Sequence, residues 1–309
     1  MLLPPIFVAL LIVTPCFSIV NKELKLQVLS CSRLWQKKLR DYERRRESRE
    51  QALELKVGFP SQIYPQVVLF WDPWEAEWNC DIEERVGTPP WSDGPKFVCN
   101  PRRTLNDRHC LVYSFGSNGE IEFEKGVKAV NPNCEVHVFD HTDDAATSAV
   151  VAEVGTFHSV GLGDKDESLK AGTVKPLVQI MKELGHTGHA LTLLKVDIEG
   201  AEWNSFANHI WEQCKTGQLK INQLQVELHA SQGVTSDDVN TFFHNAESCG
   251  LMIFHKERNG WGCYGHLCVE YALVHKDTAL EAFVDSHCPW VAHHVFAAIR
   301  EHRLHCTDC

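Results

Sequence analysis

Lys195-Val196-Asp197-Ile198-Glu199-Gly200-Ala201-Glu202-Trp203 follows an apolar run at residues 191–194, and this junction decides the fold. A short apolar run that stops at a charged, glycine-bearing turn reads as a buried strand passing into a loop and helix. Three carboxylates, Asp197, Glu199 and Glu202, then crowd the C-terminal end of that strand, the edge at which open α/β sheets bind ligands. So much negative charge is costly unless cations or a ligand answer it, and within the run only Lys195 does.

Working outward, the same strand–turn–helix pattern repeats. Residues 111–113 form a strand closed by Ser114-Phe115-Gly116-Ser117-Asn118-Gly119-Glu120; residues 136–139 form another, ending at Asp140. Residues 156–160 are a third, closed by Gly161-Leu162-Gly163-Asp164, and residues 224–228 follow the acidic run as a fifth. Helical stretches at 174–184 and 237–249 fall between strands, so the strands are expected to lie parallel with helices on both faces. Two last apolar runs, 252–255 and 269–275, have no helix between them and read as an antiparallel hairpin at the sheet edge. The expected fold class is α/β and Rossmann-like: a mostly parallel seven-stranded sheet with a C-terminal antiparallel hairpin.

Candidate site residues sit at the strand ends. The glycine turn, Gly116, Ser117, Asn118 and Gly119, lets backbone approach a ligand closely at the start of a helix. Asp140, about 24 residues beyond Gly116, is placed to accept hydrogen bonds from two ribose hydroxyls; the bland alternative is a helix cap. Asp164 would receive the amino group of an adenine or close a plain turn. Glu227 and His229 share a face by strand alternation, and Asp197 and Glu199 share one if the strand continues. Asp197, Glu199, Glu227 and His229 are therefore the candidates for proton abstraction, with His229 the best base by intrinsic pKa. Asp197 and Glu199 are also the pair that would hold a divalent cation, and caps and salt bridges are the structural alternative.

The run from Lys195 to Trp203 resembles the signature of FkbM-type methyltransferases, and Glu227-x-His229 is similar to their Glu-x-His. With Tyr113 to Gly119, these stretches resemble the secreted methyltransferase-like protein 24 family over about residues 101–275. The resemblance implies a class I methyltransferase fold with S-adenosylmethionine as cofactor. Ser114 stands where the usual first motif opens with an acidic residue, and the second glycine falls one position early. A secreted binding protein that kept the fold without the chemistry is the competing reading.

The remaining sequence frames the domain. A net charge of −11 argues against nucleic acid as partner, and an apolar share of 44% supports a sizeable core. Residues 1–18 are expected to be a cleaved signal peptide; an uncleaved anchor, which would tie the chain to a membrane, is the rival. Removing Cys16 with the signal leaves 12 of the 13 cysteines, which reads as a disulfide framework of a secreted or secretory-lumen protein. Residues 19–57 are expected to be a charged helical stem, 58–109 a Trp- and Pro-rich, disulfide-stapled lead-in, and 110–309 the methyltransferase domain. The acceptor, whether glycan, protein or small molecule, is not written in the chain. In the tail, His302, His305, Cys306 and Cys309 have zinc-like spacing, with a disulfide as the favoured reading.

Overall fold

Strand β3 (Leu111–Phe115) is buried at every position, as expected of a central parallel strand. It pairs in parallel with β4 (Glu135–Phe139) on one side and β10 (Leu193–Val196) on the other. Beyond β4 lies β5 (Thr156–His158); beyond β10 lies β12 (Gln223–His229), again parallel. The hairpin β13 (Leu251–Arg258) and β14 (Cys268–His275) completes the sheet in the order β13-β14-β12-β10-β3-β4-β5, with β14 antiparallel to β12. This is the expected seven-stranded, mostly parallel α/β sheet, with the last strand inserted beside the fifth rather than added outside the sixth. The computed structural model describes residues 22–54, 70–142, 145–170, 172–230, 233–261, 263–264 and 267–289. The expected signal and the His/Cys tail lie outside the described residues.

Alternation along the strands divides the core. Tyr113, Phe115, Phe139, Leu194, Val196, Leu224, Val226 and Leu228 face one layer, packed by α5 (Leu177–Glu183), Phe206, Trp211 and α8 (Ser236–Ser248). Val112, Val136, Val138 and Leu193 face the other, under α3 (Glu122–Val130) through Phe123 and Val127. Helix α8 begins at a capping box: Thr235 and Asp238 satisfy each other's backbone donors. Among described residues, no helix is long and apolar enough to cross a membrane.

Three differences from expectation matter. The third expected strand breaks at Ser159, and β6 (Val160–Leu162) leaves the main sheet for a small one with β7 (Glu167–Leu169) and β8 (Gly172–Lys175). The helix expected from residue 174 starts only after Pro176, which sits at its N-cap. The lead-in contains a hairpin, β1 (Glu83–Val86) with β2 (Lys96–Cys99), rather than irregular chain alone. That hairpin takes the place of a helix over the polar side of β12: Gln223 bonds both the Cys99 amide and carbonyl, and Gln225 donates to the Phe97 carbonyl.

Trp71, Trp74 and Trp78 are core residues, whereas Trp91 is 83% exposed. Trp74 donates to Asn240 and carries the Arg49 guanidinium over its ring, 4.1 Å from the centroid. Arg49 also pairs with Glu77 at 2.7 Å and Glu247 at 2.5 Å.

The described residues divide into two compact units, one within residues 49–278 and a second formed by 22–48 with 279–289, although the sequence reading placed 279–289 with the methyltransferase domain. The reason lies in the second unit itself, where helix α1 (Lys22–Glu54) supplies Cys31, bonded to Cys288, and Trp35, packed on Phe283. Within the larger unit Cys80–Cys99, Cys110–Cys134 and Cys263–Cys268 are also joined, while Cys214 and Cys249 are free thiols.

Gly116 locks the two central strand ends together. Its φ is +76°, and a Cβ there would lie 1.6 Å from the Asp197 carbonyl oxygen. Gly185, with φ +79°, faces open space. Gly185→Ala is expected to cost about 1–2 kcal/mol, the left-handed backbone penalty alone. Gly116→Ala adds an unavoidable backbone clash and should cost clearly more, about 4 kcal/mol or above. Chemical unfolding of both variants checks this; equal losses would show that the strand ends are not in fixed contact.

Candidate functional site

Strand β10 ends at Val196, and the next carboxylate, Asp197, stays tied to the sheet by its amide, which donates to the Phe115 carbonyl at 3.1 Å. The chain then leaves the strand: Glu199 has φ +57° and Gly200 φ +102°. A left-handed glutamate is strained, and here the conformation throws its side chain outward, 87% exposed. The strand conformation thus fails to persist to Glu199, yet Glu199 still reaches the group expected of it, His229 Nε2, at 3.4 Å. Glu202 opens the following helix, fully buried, accepting from the Ile198 amide at 2.9 Å and holding His229 Nδ1 at 3.0 Å. Trp203 closes the corner by donating to the His229 carbonyl.

Glu227 stands on β12 directly across from Glu270 on β14. Facing carboxylates repel, and both are buried. The answering cation is one the sequence reading missed: Lys96, from the first position of β2. Its Nζ lies 2.6 Å from Glu270, 3.7 Å from Asp197 and 4.0 Å from Glu227, with only 5% of its side chain exposed. Burial opposes its charge, but these three acids overcome burial and raise its pKa. Lys195, the cation visible in the sequence, donates to the Gly116 carbonyl at 2.7 Å and stands 4.0 Å from Asp197. Asn259 donates to Glu227 and to Asp93, fixing the far side of the group. Nothing in the Lys96 neighbourhood, a hydrophobic-flanked lysine in a Pro-rich segment, signals this role; only the surplus of acid at the strand ends implied that some distant cation was missing.

These contacts sort the charges. Asp197 stays ionised: burial works against it, but Lys195, Lys96, His229 and a hydrogen bond with Glu227 lower its pKa. Glu227 takes the proton, pushed up to about 8 by burial and by the neighbouring Asp197 charge. For His229, burial favours the neutral ring, but the bond and charge of Glu202, then Glu227 and Asp197, raise it to about 9. His229 is consequently an imidazolium at neutral pH. The expectation that it is the best base is corrected by Glu202, a buried carboxylate that stabilises the charged ring.

The glycine turn is formed as expected, with positive φ at Gly116, Asn118 and Gly119. Asp140 is used differently from expectation. One of its carboxylate oxygens accepts from the Ser117 and Asn118 amides, at 3.0 and 3.1 Å, and the other from the Thr142 amide and hydroxyl, at 3.0 and 2.6 Å. All four lone-pair directions are filled, so a ribose contact would require Thr142 or the turn to let go. Asp164 follows β6, in the small sheet beyond the end of β5, not on the main strand. The structure brings together Asp197, Glu199, Glu227 and His229, and it assigns Asp140 to ordering residues 117–119.

The charge arrangement makes stability depend on pH. Glu227 and His229 both have raised values in the folded chain, so each favours folding fully below its unfolded pKa and ceases to as pH climbs through about 8 and about 9. Stability should fall between pH 6.5 and 9, by on the order of 1–3 kcal/mol. Glu227→Gln, which keeps the Asn259 bond and cannot ionise, should flatten the part of this fall that lies below about pH 8. Urea unfolding across that range is the measurement; identical slopes in both proteins would place the proton elsewhere.

A family profile described as "Methyltransferase domain" matches residues 35–275, reaching back through the lead-in well beyond the expected start of resemblance at residue 101. "Probable methyltransferase-like protein 24" of Homo sapiens is 30% identical over 147 residues, 45% of this chain and 38% of that protein. Its Rattus norvegicus counterpart is likewise 30% identical over 147 residues. The chain spans about 38% of the length of these relatives. Among solved structures, the ribosomal protein L11 methylase of Lactobacillus delbrueckii subsp. bulgaricus is 12% identical, covering 57% of this chain and 75% of that one at a TM-score of 0.33. An O-methyltransferase family protein from Burkholderia thailandensis is 10% identical over 57% of this chain and 55% of its own, at a TM-score of 0.33. With the family profile covering the whole sheet and the hairpin that roofs its acidic edge, the chain belongs to a methyltransferase-domain family.

Proposed function

We propose that this chain is an S-adenosylmethionine-dependent methyltransferase of the secretory pathway that methylates an oxygen of its acceptor. The observation that carries the reading is the Asp197–Glu227 pair, two carboxyls sharing a proton at the sheet edge between Lys96 and His229. The donor set suits the methionine end of the cofactor. A sulfonium and an ammonium ask for carboxylates, which Asp197 and Glu199 offer, and the buried Ser114 hydroxyl just before the turn has no partner among the described residues. S-adenosylmethionine, when bound, supplies the electrophilic methyl group. Gly116 to Gly119 would hold its methionine portion; a ribose partner other than the saturated Asp140 is required.

The chain's own task is to take the proton from an acceptor hydroxyl and exclude competing water. Asp197, with 22% of its side chain exposed, is the more accessible member of the pair. Near neutrality the pair already holds one proton, on Glu227; above about pH 8 both are ionised and the pair takes up the acceptor proton readily. The His229 cation, fixed by Glu202, would steady the oxyanion that forms as the proton leaves. Asp197 and Glu199 with His229 also bring three ligand-type atoms within 4.8 Å, but a charged His229 and two lysines beside Asp197 weigh against a divalent cation there.

The secretory assignment rests on the apolar residues 2–20 and on eight described cysteines joined in pairs. The acceptor is a glycan, a protein or a small molecule; the net charge of −11 disfavours nucleic acid, and a membrane enters only if the signal is kept as an anchor. The saturated Asp140 favours one second reading, a secreted binding protein that no longer takes the cofactor.

Calorimetric titration separates the two. S-adenosylmethionine should bind the purified chain, and Asp197→Asn, assayed at saturating cofactor, should lose on the order of 100-fold or more in methyl transfer. The turnover rate should climb through about pH 8 as Glu227 ionises, then fall above about pH 9 as His229 loses its proton. No detectable binding would favour the binding-protein reading; unchanged turnover in Asp197→Asn would remove the pair from the chemistry.

A further inference from the structure

At the other edge of the sheet, a second cluster of ionisable groups has no part in the reading above. Glu135 is the first residue of β4, whereas Asp197 follows the last residue of the parallel β10, so the two lie at opposite ends of the strands. His137 shares the face of Glu135 by strand alternation, and His186 arrives from the turn after α5. Glu135 Oε1 lies 3.0 Å from His137 Nε2 and 3.2 Å from His186 Nε2. One atom from each of the three lies within 4.8 Å of the others.

We propose that Glu135, His137 and His186 bind a zinc ion, with its fourth position open to water. Zinc–ligand bonds of about 2.0–2.1 Å in a tetrahedron set neighbouring ligand atoms roughly 3.3–3.5 Å apart, so small adjustments of these side chains suffice. Two imidazoles and one carboxylate are a donor set for zinc rather than for magnesium or calcium, which prefer oxygen alone.

The second contacts of each ring support the assignment. A histidine ligand needs its other nitrogen held, which fixes ring orientation and raises basicity. His137 Nδ1 lies 2.8 Å from His158 Nε2, and His186 Nδ1 lies 2.6 Å from the Tyr113 hydroxyl. With zinc on both Nε2 atoms, His137 donates from Nδ1 to His158 and His186 donates to the Tyr113 oxygen. Without metal the protons reverse, and both Nε2–H groups donate to Glu135. The two ligand rings are buried, while the Glu135 side chain is 58% exposed and opens the route for the ion. The bound ion would clip the start of β4 to the turn that follows α5.

The test uses the full chain, freed of metal with a chelator and titrated with zinc against a chromogenic competitor. One equivalent should depend on this cluster: Glu135→Gln and His186→Gln should weaken it by on the order of 100-fold or more, and Tyr113→Phe by about 10-fold. Asp197→Asn should leave it unchanged. Cobalt in place of zinc should give visible absorption of a four-coordinate site, lost in Glu135→Gln. That glutamate is more than half exposed, so its variant keeps the fold even if His186→Gln does not. No zinc equivalent in the parent chain, or one of equal affinity in the parent and Glu135→Gln, would overturn the proposal. So would an equivalent lost only in Asp197→Asn.

Discussion

The buried ammonium of Lys96 is the interaction on which the acidic edge depends. Three carboxylates, Asp197, Glu227 and Glu270, end or cross adjacent strands within 4.0 Å of it. Parallel strands must end side by side, and the antiparallel return of β14 places Glu270 against Glu227. The backbone therefore forces these acids together whatever their charge. Coulomb repulsion in a poorly solvated site is large, and it is met by the ammonium groups of Lys96 and Lys195, one shared proton and the imidazolium of His229. The arrangement leaves Asp197 ionised and partly exposed, with Glu227 neutral beside it.

The β1–β2 hairpin acquires its meaning from this constraint. A helix over the polar face of β12 would leave Gln223, Gln225 and Glu227 unanswered. The hairpin instead offers backbone groups at Phe97 and Cys99 to the glutamines and Lys96 to the acids. Cys80–Cys99 anchors the same strand, and Arg85 binds Glu257 on β13 at 2.8 Å. The family profile that begins at residue 35 agrees with a lead-in that belongs to the domain.

Much of this was legible in the chain. The succession of strands and helices followed from alternating apolar runs and glycine turns, because buried parallel strands and their exits have strong local signatures. The gathering of Asp197, Glu199, Glu227 and His229 followed from strand ends alone. What failed had non-local causes. The base role of His229 was read from its intrinsic pKa, but Glu202, buried beneath it, sets its charge. Asp140 was read as a ligand contact because its place in the strand is right; its actual partners, Ser117, Asn118 and Thr142, are set by loop conformation. Lys96 was invisible because the groups that need it lie about 100 to 174 residues away. The grouping of residues 279–289 with helix α1 was not legible, because a disulfide partner such as that of Cys31 cannot be deduced from spacing.

The account's central claim is that Lys96 is present to offset charge, not to fill space. Removing one partner of a buried ionic cluster costs about 3–5 kcal/mol when the others remain ionised. Urea unfolding of Lys96→Met and the parent chain at pH 5.5 and pH 8 measures this directly. The loss should be large at pH 8, where the acids are charged, and should shrink markedly at pH 5.5, where the cluster takes up protons in place of the lysine. An equal loss at both pH values would mean that Lys96 is a packing residue and that the acidic edge is stabilised by something else.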